Sequence, residues 1–180
     1  MKKLTLEEIK EIELATLKQL CQLCEEQGLR CFLVGGTLLG AVRHGGFIPW
    51  DDDIDVGMPR DDYERFIDYC LTHEVPFQVL CNRSNPKYGY LFAKVMNKET
   101  ILQELVGNRY SIEMGVNIDV FPIDGLGNTY DEAISVMNKT RFFRELLVAA
   151  NWRKYCRSKS KINGRNSKAW FYWFFVLRTY

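Results

Sequence analysis

Asp53 and Asp55 flank Ile54 in the run Asp51-Asp52-Asp53-Ile54-Asp55-Val56. Side chains on an extended strand alternate between faces, so the two carboxylates are expected to point the same way while Ile54 and Val56 turn to the core. Two like charges on one face repel unless a cation lies between them. Hard oxygen donors suit Mg²⁺ or Mn²⁺, ions that keep part of their water and bind substrate phosphates. Upstream, an apolar run ends in Gly35-Gly36-Thr37. Glycines without Cβ atoms let the backbone turn sharply and bring its N–H groups to an anion, and the Thr37 hydroxyl adds a donor. A third acid lies in Asn117-Ile118-Asp119-Val120-Phe121, whose alternation sends Asp119 to the face opposite Ile118 and Val120. These pieces fit a site for a nucleotide-type phosphate ester.

Each piece also has a plainer reading. An Asp-x-Asp pair alone is usually a solvated strand end, and Gly-Gly alone is an ordinary turn. The crowding of Asp51, Asp52, Asp53 and Asp55 beside an apolar strand pattern favours a metal pair at Asp53 and Asp55. Asp51 and Asp52 read as loop-capping groups or outer neighbours of the ion.

The elements that position these residues follow from periodicity and punctuation. Thr5-Leu6-Glu7-Glu8 is a capping-box pattern opening a packing helix with Leu6, Ile9, Ile12, Leu17, Leu20 and Cys24 on its apolar side and a stop near Gly28. Residues 30–34 read as a buried strand, and Thr37 to His44 as a short helix leaving the glycine turn. The glycines and proline of 44–50 mark a loop before the acidic strand. Asp61 to Leu71 reads as a helix with Tyr63, Phe66, Ile67 and Cys70 on one face, capped by Asp61 or Asp62. Strands are expected at 77–80, 90–96 and 116–121, and a helix from Tyr130 through Ala150.

The chain has 180 residues, 47% hydrophobic and 26% charged, an ordinary composition for a globular domain with a real core. Its net charge of +1 hides an asymmetry: residues 139–180 carry 11 Lys or Arg against one acid, and the first 138 carry 13 against 22. A basic stretch, 153–168, leads into the aromatic run Ala169 to Leu177, which would dock on the domain, meet a membrane interface, or await a missing chain segment. Glu7, Glu8, Glu11 and Glu13 stand where a secretory signal would need an apolar core, and no apolar run approaches the ~20 residues of a membrane span. A cytoplasmic protein is expected, one that could work at the inner face of the membrane. The six cysteines are scattered, with Cys21 and Cys24 the only close pair, and read as reduced and mostly buried.

The stretch Gly35-Gly36-Thr37-Leu38-Leu39-Gly40-Ala41-Val42-Arg43-His44, followed by Ile48-Pro49-Trp50-Asp51-Asp52-Asp53-Ile54-Asp55, resembles the signature of the LicD family. Ile118-Asp119-Val120-Phe121-Pro122-Ile123-Asp124-Gly125 resembles its second acidic motif. The resemblance covers roughly residues 5–150. It implies an α/β (α+β) fold of nucleotidyltransferase-like type, a mixed β-sheet flanked by helices with a C-terminal helical segment. Residues 1–150 would be the catalytic domain and 151–180 a basic, aromatic, helical extension.

The resemblance further implies metal-dependent transfer of a phospho-alcohol, typically phosphocholine, from a CDP-activated donor such as CDP-choline to a hydroxyl of a cell-surface glycan, lipopolysaccharide or teichoic-acid precursor. Fukutin-related members handle ribitol phosphate. Asp53 and Asp55 would bind Mg²⁺ or Mn²⁺, with Asp119 completing the metal site or serving as general base. Gly35, Gly36 and Thr37 would hold the donor phosphates, with Arg43 and Lys94 balancing charge on the leaving CMP. Members run on well beyond residue 180, so the resemblance implies a truncated chain lacking acceptor-binding parts.

Three other functions use similar residues: a true nucleotidyltransferase releasing pyrophosphate, a D-x-D sugar-nucleotide glycosyltransferase, and a non-catalytic nucleotide-binding fragment. Single residues have alternatives as well. Arg43 could pair with Asp51 or Asp52, Lys94 could be a solvated strand residue, and His44 reads as a loop hydrogen-bonder. Trp50 could stack on a base or a choline cation, although packing under its loop is the favoured reading. The basic tail suits a solvated face, anionic lipid or glycan phosphate, and no recognisable module points to nucleic acid.

Overall fold

The computed structural model describes residues 2–102 and 112–162, with side chains as far as 146. The chain divides into two units, residues 1–103 with 112–125 and residues 104–111 with 126–180. Every residue of the candidate site lies in the first.

Helix α1 (Leu6–Gln27) starts on the expected capping box: the Thr5 hydroxyl accepts from the Glu8 N–H at 3.3 Å, and Glu8 Oε2 accepts from the Thr5 N–H at 2.8 Å. It ends at Gly28, whose φ of 60° is the left-handed cap that glycine reaches most cheaply. Leu20, Leu23 and Cys24 enter the core. Further up the same stripe the buried residues are Lys10, Glu13 and Thr16, so this helix does not pack by apolar contact alone.

Strand β1 (Phe32–Leu33), helix α2 (Gly35–His44), strand β2 (Asp55–Pro59) and helix α3 (Arg60–Thr72) follow, then β3 (Gln78–Leu80), β4 (Ala93–Met96) and β5 (Asn117–Ile123). The five strands form one mixed sheet in the order β1-β2-β5-β4-β3, with β2 and β5 parallel and the other pairs antiparallel. The α+β class is the one the sequence implies. The core lies between one sheet face and α1 and α3, where Ile54, Val56, Val95, Ile118 and Val120 meet Leu20, Phe66 and Ile67. Burial of these side chains is the main stabilising term, about 1.5–3 kcal/mol for each large residue.

Three expectations are corrected. The buried strand over 30–34 shrinks to the two residues of β1, which pairs with β2 at the sheet edge and leaves Phe32 50% exposed. Neither Asp61 nor Asp62 caps α3; Pro59 takes that position without a side-chain bond. Asp62 instead turns inward and accepts from Arg30 Nε at 2.6 Å, the Arg30 N–H at 3.3 Å and Arg65 at 3.4 Å. The strand expected over 90–96 begins only at Ala93.

Among the cysteines with described side chains all are free; Cys24 and Cys81 are buried, Cys31 and Cys70 half-buried and Cys21 exposed. In the second unit, helix α4 (Tyr130–Ile162) carries a capping pair at its start, Glu132 Oε2 accepting from the Asn128 and Thr129 N–H groups. Among the described residues no helix is long and apolar enough to cross a membrane. The basic stretch expected over 153–168 runs into residues outside the described set, and the aromatic run from Ala169 to Leu177 lies wholly outside it.

Candidate active site

Register does the positioning. Asp55 on β2 stands beside Asp119 on parallel β5, and Asp119 stands beside Lys94 on antiparallel β4. Three charged residues thus occupy one row across three strands, while Val56, Val120 and Val95, one step along, are fully buried beneath them. Asp53 precedes the strand instead of lying in it, but the chain is already tied there: the Asp119 N–H donates to the Ile54 carbonyl at 2.9 Å, and the Val34 N–H donates to the Asp55 carbonyl at 3.1 Å. Ile54 and Val56 face the core as expected.

The glycines form the first turn of α2, which therefore starts two residues earlier than expected. Gly35 has φ +57°, and a Cβ there would lie 3.2 Å from Asp55 Oδ2; a Cβ on Gly36 would lie 2.7 Å from Asp51 Oδ2. The backbone at this helix N-terminus passes so close to the acids that a side chain would crowd them. Free N–H groups and the positive end of the helix dipole make the same turn attractive to a phosphate. The Thr37 hydroxyl accepts from the Asp55 N–H at 2.8 Å, which pins the strand to the helix and leaves its hydrogen free to donate.

Lys94 relieves the charge of these acids only in part. Burial first, then the charges of Asp55 and Asp51, push the Asp53 carboxyl up from its ordinary range. Burial and then Asp119 and Asp51 push Asp55 up, against the pull of Lys94. For Asp119, burial outweighs Lys94, whose Nζ donates to it at 2.5 Å and to Asn117 Oδ1 at 2.9 Å. Lys94 is thus no solvated strand residue: it is largely buried and holds Asp119.

The donor set matches a hard divalent cation in chemistry, being acceptor-only oxygens whose carboxyls are raised by burial and, at Asp53 and Asp55, by mutual repulsion. Among the described residues no three His, Cys, Asp or Glu are gathered closely enough to hold an ion unaided. Mg²⁺ usually takes one or two carboxylates and completes its shell with water and substrate phosphates, so the Asp53 and Asp55 pair still fits it.

Arg43 stands apart. It is exposed in the last turn of α2, about 12 Å along the axis from Gly35, and no ion pair with Asp51 or Asp52 is found among the described residues. His44 is exposed beside it. Trp50 does not pack under its loop; it is 81% exposed.

Two groups escaped the sequence reading. Glu13 of α1 is only 4% exposed, and its Oε2 is buried without a hydrogen-bond partner. Burial, then the charges of Asp53, Asp52 and Asp119, push it up to about 8. The available signal was a lone acid at the position where the buried stripe through Leu17 and Leu20 continues upward. The second is an aromatic set beside the charged row: Phe92 meets Phe121 at 4.6 Å between ring centroids and Tyr90 at 5.1 Å, and Lys94 Nζ lies 5.6 Å from the Phe92 ring centroid.

Comparison with known proteins supplies the family. A family model described as LicD/FKTN/FKRP, nucleotidyltransferase domain, matches residues 28–155. The chain belongs to the LicD family. Within it, the chain is 39% identical over 161 residues to the lipopolysaccharide cholinephosphotransferase LicD of Haemophilus influenzae, which covers 88% of this chain and 59% of that protein. It is 47% identical over 47 residues to the ribitol 5-phosphate transferase FKRP of Homo sapiens, 26% of this chain and 10% of that protein, with the same figures for the Mus musculus protein. The chain thus spans 59% of the length of the LicD relative. The family match begins after α1, so Glu13 lies outside it.

Proposed function

We propose that this chain carries the donor-binding and reacting side of a metal-dependent phospho-alcohol transfer, moving phosphocholine from CDP-choline to a hydroxyl of a cell-surface glycan, lipopolysaccharide or teichoic-acid precursor. One observation carries the reading: the row Asp55, Asp119 and Lys94 lies in register across three strands, beside the glycine N-terminus of α2. Attack by a hydroxyl on a diphosphate ester spreads negative charge over oxygens, so positioning and opposing charge do most of the catalysis.

In this reading the Gly35 and Gly36 backbone and the Thr37 hydroxyl hold the donor phosphates. Asp53 and Asp55 hold Mg²⁺ or Mn²⁺. When bound, the cation neutralises donor phosphate charge and orients the phosphoryl group. Asp119, its carboxyl raised by burial, accepts the proton of the attacking hydroxyl as the new P–O bond forms and the bond to CMP breaks. Lys94 keeps Asp119 in place and balances charge near the leaving group; Arg43 reaches the nucleotide only from the far end of α2. Choline as the alcohol rests on the likeness to the lipopolysaccharide cholinephosphotransferase, which covers most of this chain, over the shorter likeness to the ribitol 5-phosphate transferases.

Calorimetry with CDP-choline, CDP-ribitol and CTP, each with and without Mg²⁺, tests the binding, and product analysis tests the class. Mg²⁺-dependent binding with CDP-choline tightest, and release of CMP, are expected. Pyrophosphate from CTP would make the chain a nucleotidyltransferase instead, and a released nucleoside diphosphate would make it a glycosyltransferase.

A further inference from the structure

The stripe of α1 that faces the core changes character along its length. Leu20, Leu23 and Cys24 are apolar, whereas the buried residues above them are Lys10, Glu13 and Thr16. Two of these three are satisfied. The Thr16 hydroxyl donates to the Ile12 carbonyl at 2.8 Å, and Lys10 Nζ donates to the Pro49 carbonyl at 3.3 Å while lying 5.4 Å from the Phe47 ring centroid. Glu13 is not, since its Oε2 is buried with no partner. A buried acceptor left unpaired is costly, and a leucine would pack at this position without that cost.

The charged groups that act on Glu13 are Asp53, Asp52 and Asp119, with Lys10 opposing them. When Glu13 is ionised it only accepts hydrogen bonds, as these acids do, so none of them can satisfy its oxygen in that form. Lys10 is already engaged at Pro49. A group that satisfies Glu13 must bring positive charge or donors to a place walled by acids. A hydrated divalent cation does both, because Mg²⁺ keeps several of its waters when carboxylates bind it.

We propose that Glu13 is a positioning residue of the cation site, its unpaired carboxyl oxygen accepting from a water of the ion held by Asp53 and Asp55. The inference rests on the cation reading given above and adds to it a residue of α1. It also makes α1 part of the site: the helix presents a carboxyl to the acids of the 51–55 segment and β5, and loading of the ion locks helix and sheet together. Outer groups of this kind orient the inner ligands and set affinity.

The test is Mn²⁺ titration of the whole chain without nucleotide, followed by calorimetry and water-proton relaxation, on the wild type, Glu13→Gln and Glu13→Leu. Mn²⁺ affinity is expected to fall about tenfold or more in Glu13→Gln, with a changed relaxation enhancement and no loss of melting temperature in the metal-free state. Wild-type affinity in Glu13→Gln overturns the inference and leaves the cation reading standing. Glu13→Leu covers the case in which the glutamine variant does not fold: if it melts higher and binds Mn²⁺ as the wild type does, position 13 is packing only. A wild type that takes up no Mn²⁺ overturns both the inference and the cation part of the proposed function.

Discussion

Two sets of acids share this unit and differ in how their charge is met. Asp62, at the start of α3, accepts from the Arg30 guanidinium and backbone N–H and from Arg65, and the bond from Arg30 holds its carboxyl below the ordinary range. Asp53, Asp55, Asp119 and Glu13 lie among one another, and all four are pushed up. A satisfied acid ties elements together, here α3 to the segment entering β1. A set of four acids met, among the described residues, by one ion-paired cation, Lys94 on Asp119, is a cost that folding alone gives no reason to carry, and such sets mark sites that take a ligand.

The sharpest way to break this contrast is Asp55→Asn. If the site acids serve chemistry, CMP release falls roughly 10³-fold, while the metal-free protein melts no lower because one repelling charge is gone. A fall in melting temperature comparable to the loss of a core residue would put Asp55 in the same class as Asp62.

Next in size is a pH effect of opposite sign in the two sets. Glu13 rises from 4.5 to about 8, so over that range the folded protein holds a proton that the unfolded chain has released. Stability of the metal-free protein therefore falls as pH rises from about 5 to about 8, by an amount on the order of a few kcal/mol. Asp53, Asp55 and Asp119, also raised, add to this in the lower part of the range. Asp62 is lowered, and its contribution is present above its ordinary value and lost as the pH drops below it. Denaturant melts at pH 5 and pH 8 measure the balance, and Mn²⁺ should restore stability at pH 8. A metal-free protein more stable at pH 8 than at pH 5 would contradict the picture.

Asp62→Asn is the converse variant. It leaves Arg30 without its carboxylate and should lower the urea midpoint, by less than loss of a fully buried pair because both arginines reach solvent. Activity per folded molecule should be unchanged. Urea melts alongside CMP release separate the two quantities, and a large activity loss at full folding would place Asp62 in the site.

The contrast also explains what the sequence disclosed. The core strands were readable because Ile54, Val56, Ile118 and Val120 alternate with acids, and alternation is a local signal. Asp53 and Asp55 stood out because like charges cluster in 51–55, and Asp119 because it alternates with Ile118 and Val120. Lys94 was named only for charge on the leaving group and Glu13 not at all, since the hold of Lys94 on Asp119 comes from antiparallel register and the burial of Glu13 from the packing of α1. Both are properties of pairing between distant segments. The cap of α3 was misjudged for a similar reason: Asp62 has the right type and place for capping, and only the nearby Arg30, 32 residues away in sequence, draws it inward.

The smallest effect concerns Thr37, which belongs to both kinds of region. Its hydroxyl oxygen accepts from the Asp55 N–H at 2.8 Å, a structural bond, and its hydrogen remains for a donor phosphate. Thr37→Val keeps the shape and removes both, leaving the Asp55 N–H unpaired at a cost of about 1 kcal/mol. Thr37→Ser keeps both and should be close to neutral. If the hydroxyl also serves the donor, Thr37→Val weakens CDP-choline binding beyond what Thr37→Ser does, at a temperature where both are fully folded. Equal calorimetric affinity in the two variants, with only the melting temperature of Thr37→Val reduced, would assign Thr37 wholly to the structural side.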